Sequence, residues 1–79
     1  MSRFIYQKFD YSKLKGRIVE KCGTQANFAN KIGLSERSVT LKLTGLRSFK
    51  QGDIEKITEV LELSHDDIGT YFFTAKVQN

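Results

Sequence analysis

The sequence predicts an all-α protein, a single compact domain built from five short helices. Apolar residues recur every three or four positions along most of the chain, which is the period of an amphipathic helix. The chain has 79 residues and no proline, so nothing in its composition separates one domain from another. A chain of this length can bury only a modest core.

The first predicted helix covers about residues 12–22. Its apolar stripe consists of Tyr11, Leu14, Ile18 and Cys22. Asp10 or Ser12 is expected to cap its first turn. Cys22 is the only cysteine, so the chain cannot form an internal disulfide, and its place in the stripe indicates an ordinary buried thiol.

The second and third predicted helices, about 25–32 and 36–44, form a helix-turn-helix. Thr24 and Ser35 stand immediately before them and offer hydroxyl caps. The facing apolar positions are Phe28, Ala29 and Ile32 on the first helix and Val39 and Leu43 on the second. Gly33 can adopt the positive φ that ends a helix. In such a motif the second helix enters the DNA major groove.

A fourth helix is expected near residues 51–62, with Ile54, Ile57 and Leu61 facing the core. A short fifth helix should open at Ser64 and end near Phe72. We therefore divide the chain into an N-terminal arm (1–11), a helix-turn-helix domain (12–73) and a C-terminal tail (74–79). Both ends are rich in aromatic residues, which could pair as an edge ribbon or pack across a subunit boundary.

Charge is distributed unevenly along the chain. Residues 1–50 hold eleven Lys or Arg against three Asp or Glu, a net charge of +8. Residues 51–79 hold two against six, a net charge of −4. Because the basic half contains the helix-turn-helix, and DNA affinity comes largely from neutralising phosphates, this distribution favours a DNA-binding function.

The exposed residues at the start of the third helix are the candidates for contacts with bases. Arg37 can donate two hydrogen bonds to guanine, and Glu36 can accept one from cytosine, although Glu36 also suits a helix N-terminus. Thr40 and Leu41 lie one turn further on. Leu41 can contact the thymine methyl group or pack in the core, and the two interpretations are equally favoured.

Other residues are candidates for contacts with the DNA backbone. Gln25 begins the first motif helix, where its amide and the helix dipole both favour a phosphate. The remaining candidates on this side are Ser35, Ser38, Lys42, Arg47 and Lys50.

Other functions find little support in the sequence. His65 is the only histidine and lies in a capping segment, so we expect no metal site and no cofactor. The chain shows no nucleophile motif or phosphate-binding loop, and we expect no enzymatic activity. It also shows neither a signal peptide nor a membrane-length apolar run, so we expect a cytoplasmic protein in a bacterial host.

One set of residues carries a resemblance to a known family. These residues are Thr24-Gln25-Ala26, Ala29, Gly33, Val39 and Gly45, followed by the helix over 54–61 and by Leu63-Ser64. They resemble the Cro/cI-type repressors of temperate phages, within the xenobiotic-response-element helix-turn-helix family. The resemblance implies a lambda-repressor-like domain that binds operator DNA and commonly forms a homodimer. It also implies a phosphate contact for Gln25 and groove-facing positions at Ser35, Glu36, Arg37, Thr40 and Leu41.

The chain departs from this family at Lys42, where an aliphatic residue is usual. We expect Leu43 to fill the core in its place and Lys42 to turn outward. A slightly rotated helix would exchange the roles of Thr40 and Leu41.

Two functions follow from the sequence. The first is a sequence-specific transcriptional regulator of the Cro kind, binding as a homodimer to half-sites about 34 Å apart. Its dimer interface would consist of Tyr71, Phe72, Phe73 and Val77. The second is a modulator or antirepressor that binds another phage repressor. The apolar and acidic C-terminal half favours this alternative, since it suits contact with a basic protein.

Overall fold

The computed structural model describes residues 9–75, and within that range the fold is helical. Its helices are α1 (Ser12–Cys22), α2 (Gln25–Ile32), α3 (Glu36–Leu43), α4 (Gln51–Val60) and α5 (Ile68–Phe72), with a 3₁₀ turn (His65–Asp67) before α5. Among these residues the only β pairing is an isolated antiparallel bridge between Phe9 and Ala75. The predicted all-α, five-helix architecture is confirmed.

The helix-turn-helix forms through the predicted local interactions. Thr24 Oγ1 accepts a hydrogen bond from the backbone N–H of Asn27 at 3.0 Å, which caps α2. Ser35 Oγ accepts from the N–H of Ser38 at 3.1 Å, which caps α3. Between them Gly33 adopts a φ of 75°, the left-handed conformation that a side chain would disfavour. These contacts set the start of both helices and the end of α2.

The core lies where α2 packs against α1, α3 and α4, with α5 packed against α1. All predicted core positions of the first three helices are buried, among them Leu14, Phe28 and Val39. From α4 and the turn after it, Ile57 and Leu61 are fully buried. Ile54, the third predicted core residue of this segment, is only half-buried and lies at the edge of the core.

Helix α4 ends at Val60, two residues earlier than predicted, because the chain turns at Glu62. Glu62 has a φ of 57°, and the next N–H, that of Leu63, returns to the carbonyl of Thr58 at 2.9 Å. The Arg17 Nε donates to the carbonyl of Leu61 at 3.0 Å. Together these bonds use the carbonyls that the helix end would leave unpaired.

The two ends of the described chain lie side by side. The Asp10 N–H donates to the Thr74 carbonyl at 2.7 Å, next to the bridge between Phe9 and Ala75. The rings of Phe9 and Phe73 meet edge to face with centroids 5.5 Å apart. The sequence left open whether the aromatic ends pair with each other or pack across a subunit boundary, and at Phe9 and Ala75 they pair with each other.

Candidate functional site

The α2–α3 motif brings most of the predicted DNA-contacting residues to one surface. Glu36, Arg37 and Thr40 are exposed along α3. The Gln25 amide nitrogen donates to Thr40 Oγ1 at 2.7 Å, which joins the start of α2 to the middle of α3. A partner of Gln25 at this surface would therefore compete with Thr40 for its amide.

The serines and the C-terminal part of the motif are less uniformly exposed. Ser35 is exposed, and Ser38 is half-buried with its hydroxyl 3.0 Å from that of Ser35. Leu41 is also half-buried, which is intermediate between the two roles that the sequence allowed. Arg47 and Lys50 are both exposed.

The outward orientation expected for Lys42 is wrong. Its residue is only 5% exposed, and its Nζ lies 2.9 Å from Asp53 Oδ2 and donates to the Ser48 carbonyl at 3.0 Å. Burial works to raise the pKa of Asp53, but the Lys50 N–H and the Lys42 ammonium outweigh it and lower that pKa. The Lys42 ammonium therefore forms an ion pair between α3 and the start of α4, and it is not available to contact a DNA phosphate.

Of the residues predicted as a dimer interface, Phe72 lies in the core and not on a surface. Phe72 is 1% exposed and packs edge to face on Phe49, with ring centroids 5.4 Å apart. A role for it in contact with a second chain is thus wrong, because it belongs to the core of its own chain. Tyr71 is half-buried and Phe73 is 52% exposed, whereas Val77 lies outside the described residues.

A second surface lies in the acidic half of the chain, and the sequence alone did not reveal it. An open groove of about 480 Å³ runs between α4 and the segment that leads into α5. We call it the α4 groove, and it is lined by Ile54, Glu55, Thr58, Glu59, Glu62, Leu63, His65 and Ile68. The acidic residues at 55, 59 and 62 share one side of α4 and its end, a spacing that the sequence does show.

The carboxylates of the α4 groove differ in their partners. Glu62 Oε1 accepts a hydrogen bond from Lys21 Nζ at 3.0 Å, and this contact lowers the pKa of Glu62. Glu55 and Glu59 are exposed and have no cation in contact within residues 9–75. The groove therefore combines an apolar floor with two carboxylates that are free to receive a cation.

Two further features bear on the kind of site. Within the described part of the chain, no group of three or more His, Cys, Asp and Glu residues could hold a metal ion. None of the helices in residues 9–75 has the length and apolar character needed to cross a membrane.

Residues 7–75 match a family of proteins of unknown function, DUF739. The chain belongs to this family. It is also similar to the solution structure of the modulator of repression (MOR) of the temperate bacteriophage TP901-1 from Lactococcus lactis. The two sequences are 55% identical, the similarity covers 90% of this chain and 96% of that one, and the TM-score is 0.76. No curated protein matches the chain.

These comparisons correct the resemblance to Cro/cI-type repressors, which is wrong. The similar structure is that of a modulator of repression, and the family is DUF739. The physical reason lies in the residues that carried the resemblance. Thr24 caps α2, Ala29 and Val39 are buried between the helices, and Gly33 makes the turn. Such residues determine how the motif folds, and they carry no information on what its surface binds.

Proposed function

We propose that this DUF739 protein is a phage regulator that modulates repression by binding the repressor of the same phage. The observation that carries the proposal is the 55% identity to a phage modulator of repression over nearly the full length of both chains. The similarity extends through both the basic and the acidic halves of the chain, which supports a shared regulatory role.

The distribution of charge supports contact with a repressor. A DNA-binding repressor must present cations to the phosphates of its operator. A chain that binds such a surface needs carboxylates of its own, and the residues from 51 onward carry a net charge of −4. Among these carboxylates, Glu55 and Glu59 are exposed on α4 and have no ion pair within residues 9–75.

Binding of this kind would change how the repressor occupies DNA. If the chain covers cations that otherwise contact phosphates, the operator and the chain compete for the same surface. The repressor's affinity for DNA then falls as the concentration of the chain rises. The effect requires no catalysis, no cofactor and no metal, and it would take place in the cytoplasm of the bacterial host.

The experiment is a gel-shift titration with the repressor of the phage that carries this gene, its operator DNA and the purified chain. We expect the chain to change the amount or mobility of the repressor–operator complex, and to co-elute with the repressor in gel filtration. A repressor that binds its operator identically at every concentration of the chain, and that elutes separately from it, would refute the proposal.

Direct contact of α3 with DNA is a second candidate function. It is supported by the exposed Arg37 and Glu36 at the start of α3 and by the net charge of +8 over residues 1–50. A single recognition helix covers few base pairs, so this candidate also requires a homodimer. In a gel shift without repressor, Arg37→Ala should weaken binding to the preferred sequence by about 1–3 kcal/mol and relax preference at one base pair. Equal binding of all single-base operator variants by the unaltered chain would refute it.

A further inference from the structure

We infer that the α4 groove is the docking site for a basic amphipathic helix of the partner repressor. This inference rests on the proposed function and names the surface through which it would act. It rests on the juxtaposition of the apolar lining of the groove with Glu55 and Glu59, two carboxylates on one side of α4 that have no ion pair within residues 9–75.

The floor of the groove provides apolar contact. Ile54 and Ile68 are half-buried and pack against the core, and Leu63, which also lines the groove, is 9% exposed. The volume of the groove, about 480 Å³, lies within the range of concave binding sites in proteins. The groove therefore suits one or two apolar anchors from a partner, with the rest of the partner lying across its rim.

The rim determines the charge of the partner. Glu55 and Glu59 lie four residues apart on α4, exposed and without a cation in contact in the part of the chain that the structure describes. Glu62 is already paired with Lys21, so it adds less to the attraction. His65 is the one other titratable group that lines the groove. Lys or Arg side chains flanking an apolar anchor would meet the two free carboxylates.

The same features select a protein segment over other occupants. Nucleic acid and small anions are repelled by the carboxylates on the rim. An amphipathic helix with apolar residues three and four positions apart and with cations beside them satisfies both the floor and the rim. A protein that binds DNA carries such cations on its surface.

The test is calorimetric titration of the same phage's repressor into two variants with the same change of net charge. Glu55→Gln/Glu59→Gln removes two negative charges from the groove. The control, Val19→Lys/Asn30→Lys, adds two positive charges on α1 and α2, where both residues are exposed. Circular dichroism establishes that each variant is folded. We expect the groove variant to lose at least tenfold in affinity, and the control variant to stay within about twofold of the unaltered chain.

A second variant changes the groove without changing its charge. Thr58 lines the groove, and Thr58→Leu should fill part of its volume while placing a better helix former in α4. We expect at least a fivefold loss of affinity for the repressor. The midpoint of urea unfolding should be preserved or raised, because the substitution also removes the buried Thr58 hydroxyl, which has no hydrogen-bond partner within residues 9–75.

The outcomes separate this inference from the proposed function. If the unaltered chain binds the repressor and both groove variants bind it equally well, the inference is overturned and the proposed function stands. If the control variant alone loses binding, the partner uses another face and the inference is likewise overturned. If the unaltered chain fails to bind the repressor at all, the proposed function fails and the inference falls with it.

Discussion

The ion pair between Lys42 and Asp53 gives the sharpest prediction for stability. The two side chains are only 7% and 17% exposed, and their charged atoms are 2.9 Å apart. Removal of one partner from a buried pair leaves an uncompensated charge, which costs about 3–5 kcal/mol. Asp53→Asn leaves the ammonium of Lys42, the more deeply buried group, without its carboxylate, so we expect it to lower the free energy of unfolding by about 3 kcal/mol or more. Lys42→Met should cost less, about 2 kcal/mol, because the Lys50 N–H still bonds the carboxylate of Asp53.

Urea unfolding followed by circular dichroism measures both losses. The matched control is Lys31→Met, which removes an exposed lysine from the last turn of α2 and should change the free energy of unfolding by less than about 0.5 kcal/mol. A double variant, Lys42→Met/Asp53→Leu, should recover much of the loss, since no buried charge is left unpaired. A cost for Lys42→Met no larger than that of Lys31→Met would refute this reasoning and return Lys42 to the candidates for contact with DNA.

The same pair gives the stability a defined dependence on pH. The pKa of Asp53 is lower in the folded chain than in the unfolded one. Its contribution is therefore complete above the unfolded pKa of about 4, and it is lost as the pH falls through the folded value. In Asp53→Asn the contribution of Asp53 to the loss of stability in acid should be absent, so the free energy of unfolding measured in urea should fall less steeply as the pH is lowered.

Three further predictions follow from single residues. Thr58 Oγ1 is buried and has no hydrogen-bond partner among residues 9–75, so Thr58→Val should raise the free energy of unfolding by about 1 kcal/mol. Thermal unfolding measures this, and an unchanged or lower value contradicts it. Glu62 holds a φ of 57°, so Glu62→Gly should raise the midpoint of urea unfolding, while Glu62→Ala should lower it because strain persists without the contact to Lys21. Phe73 is exposed directly after α5, so if two chains pair at this end, Phe73→Asp should convert the dimer into a monomer in sedimentation velocity. A monomeric unaltered chain would contradict the homodimer.

The parts of the fold that depend on neighbouring residues could be predicted from the sequence. The caps at Thr24 and Ser35 and the turn at Gly33 involve atoms within a few positions, and each is present as expected. The inward turn of Lys42 could not be predicted in this way. It depends on Asp53, which belongs to the next helix and becomes a partner only once α4 has packed.

The candidate sites show the same division. The exposed start of α3 follows from its cap and its helical period, so Arg37 was placed correctly on a surface. The α4 groove requires α4, the turn at Glu62 and the start of α5 to meet, and the sequence shows only the acidic spacing along one of its walls. The kind of partner could not be predicted from the sequence, because buried residues such as Ala29 and Val39 are needed equally by a modulator and by a repressor.

The net charge of +4 conceals two surfaces with opposite electrostatic preferences, and this has a consequence for the candidate functions. Reversing Glu55 and Glu59 to Lys makes the whole chain more positive. If DNA is the direct partner of α3, the added positive charge should leave affinity for DNA unchanged or raise it, because it removes repulsion of phosphates. If a basic repressor is the partner, the same substitutions should weaken its binding. One variant thus distinguishes the two candidate activities, since it weakens binding to a repressor without weakening binding to DNA, whereas a loss of folding would weaken both.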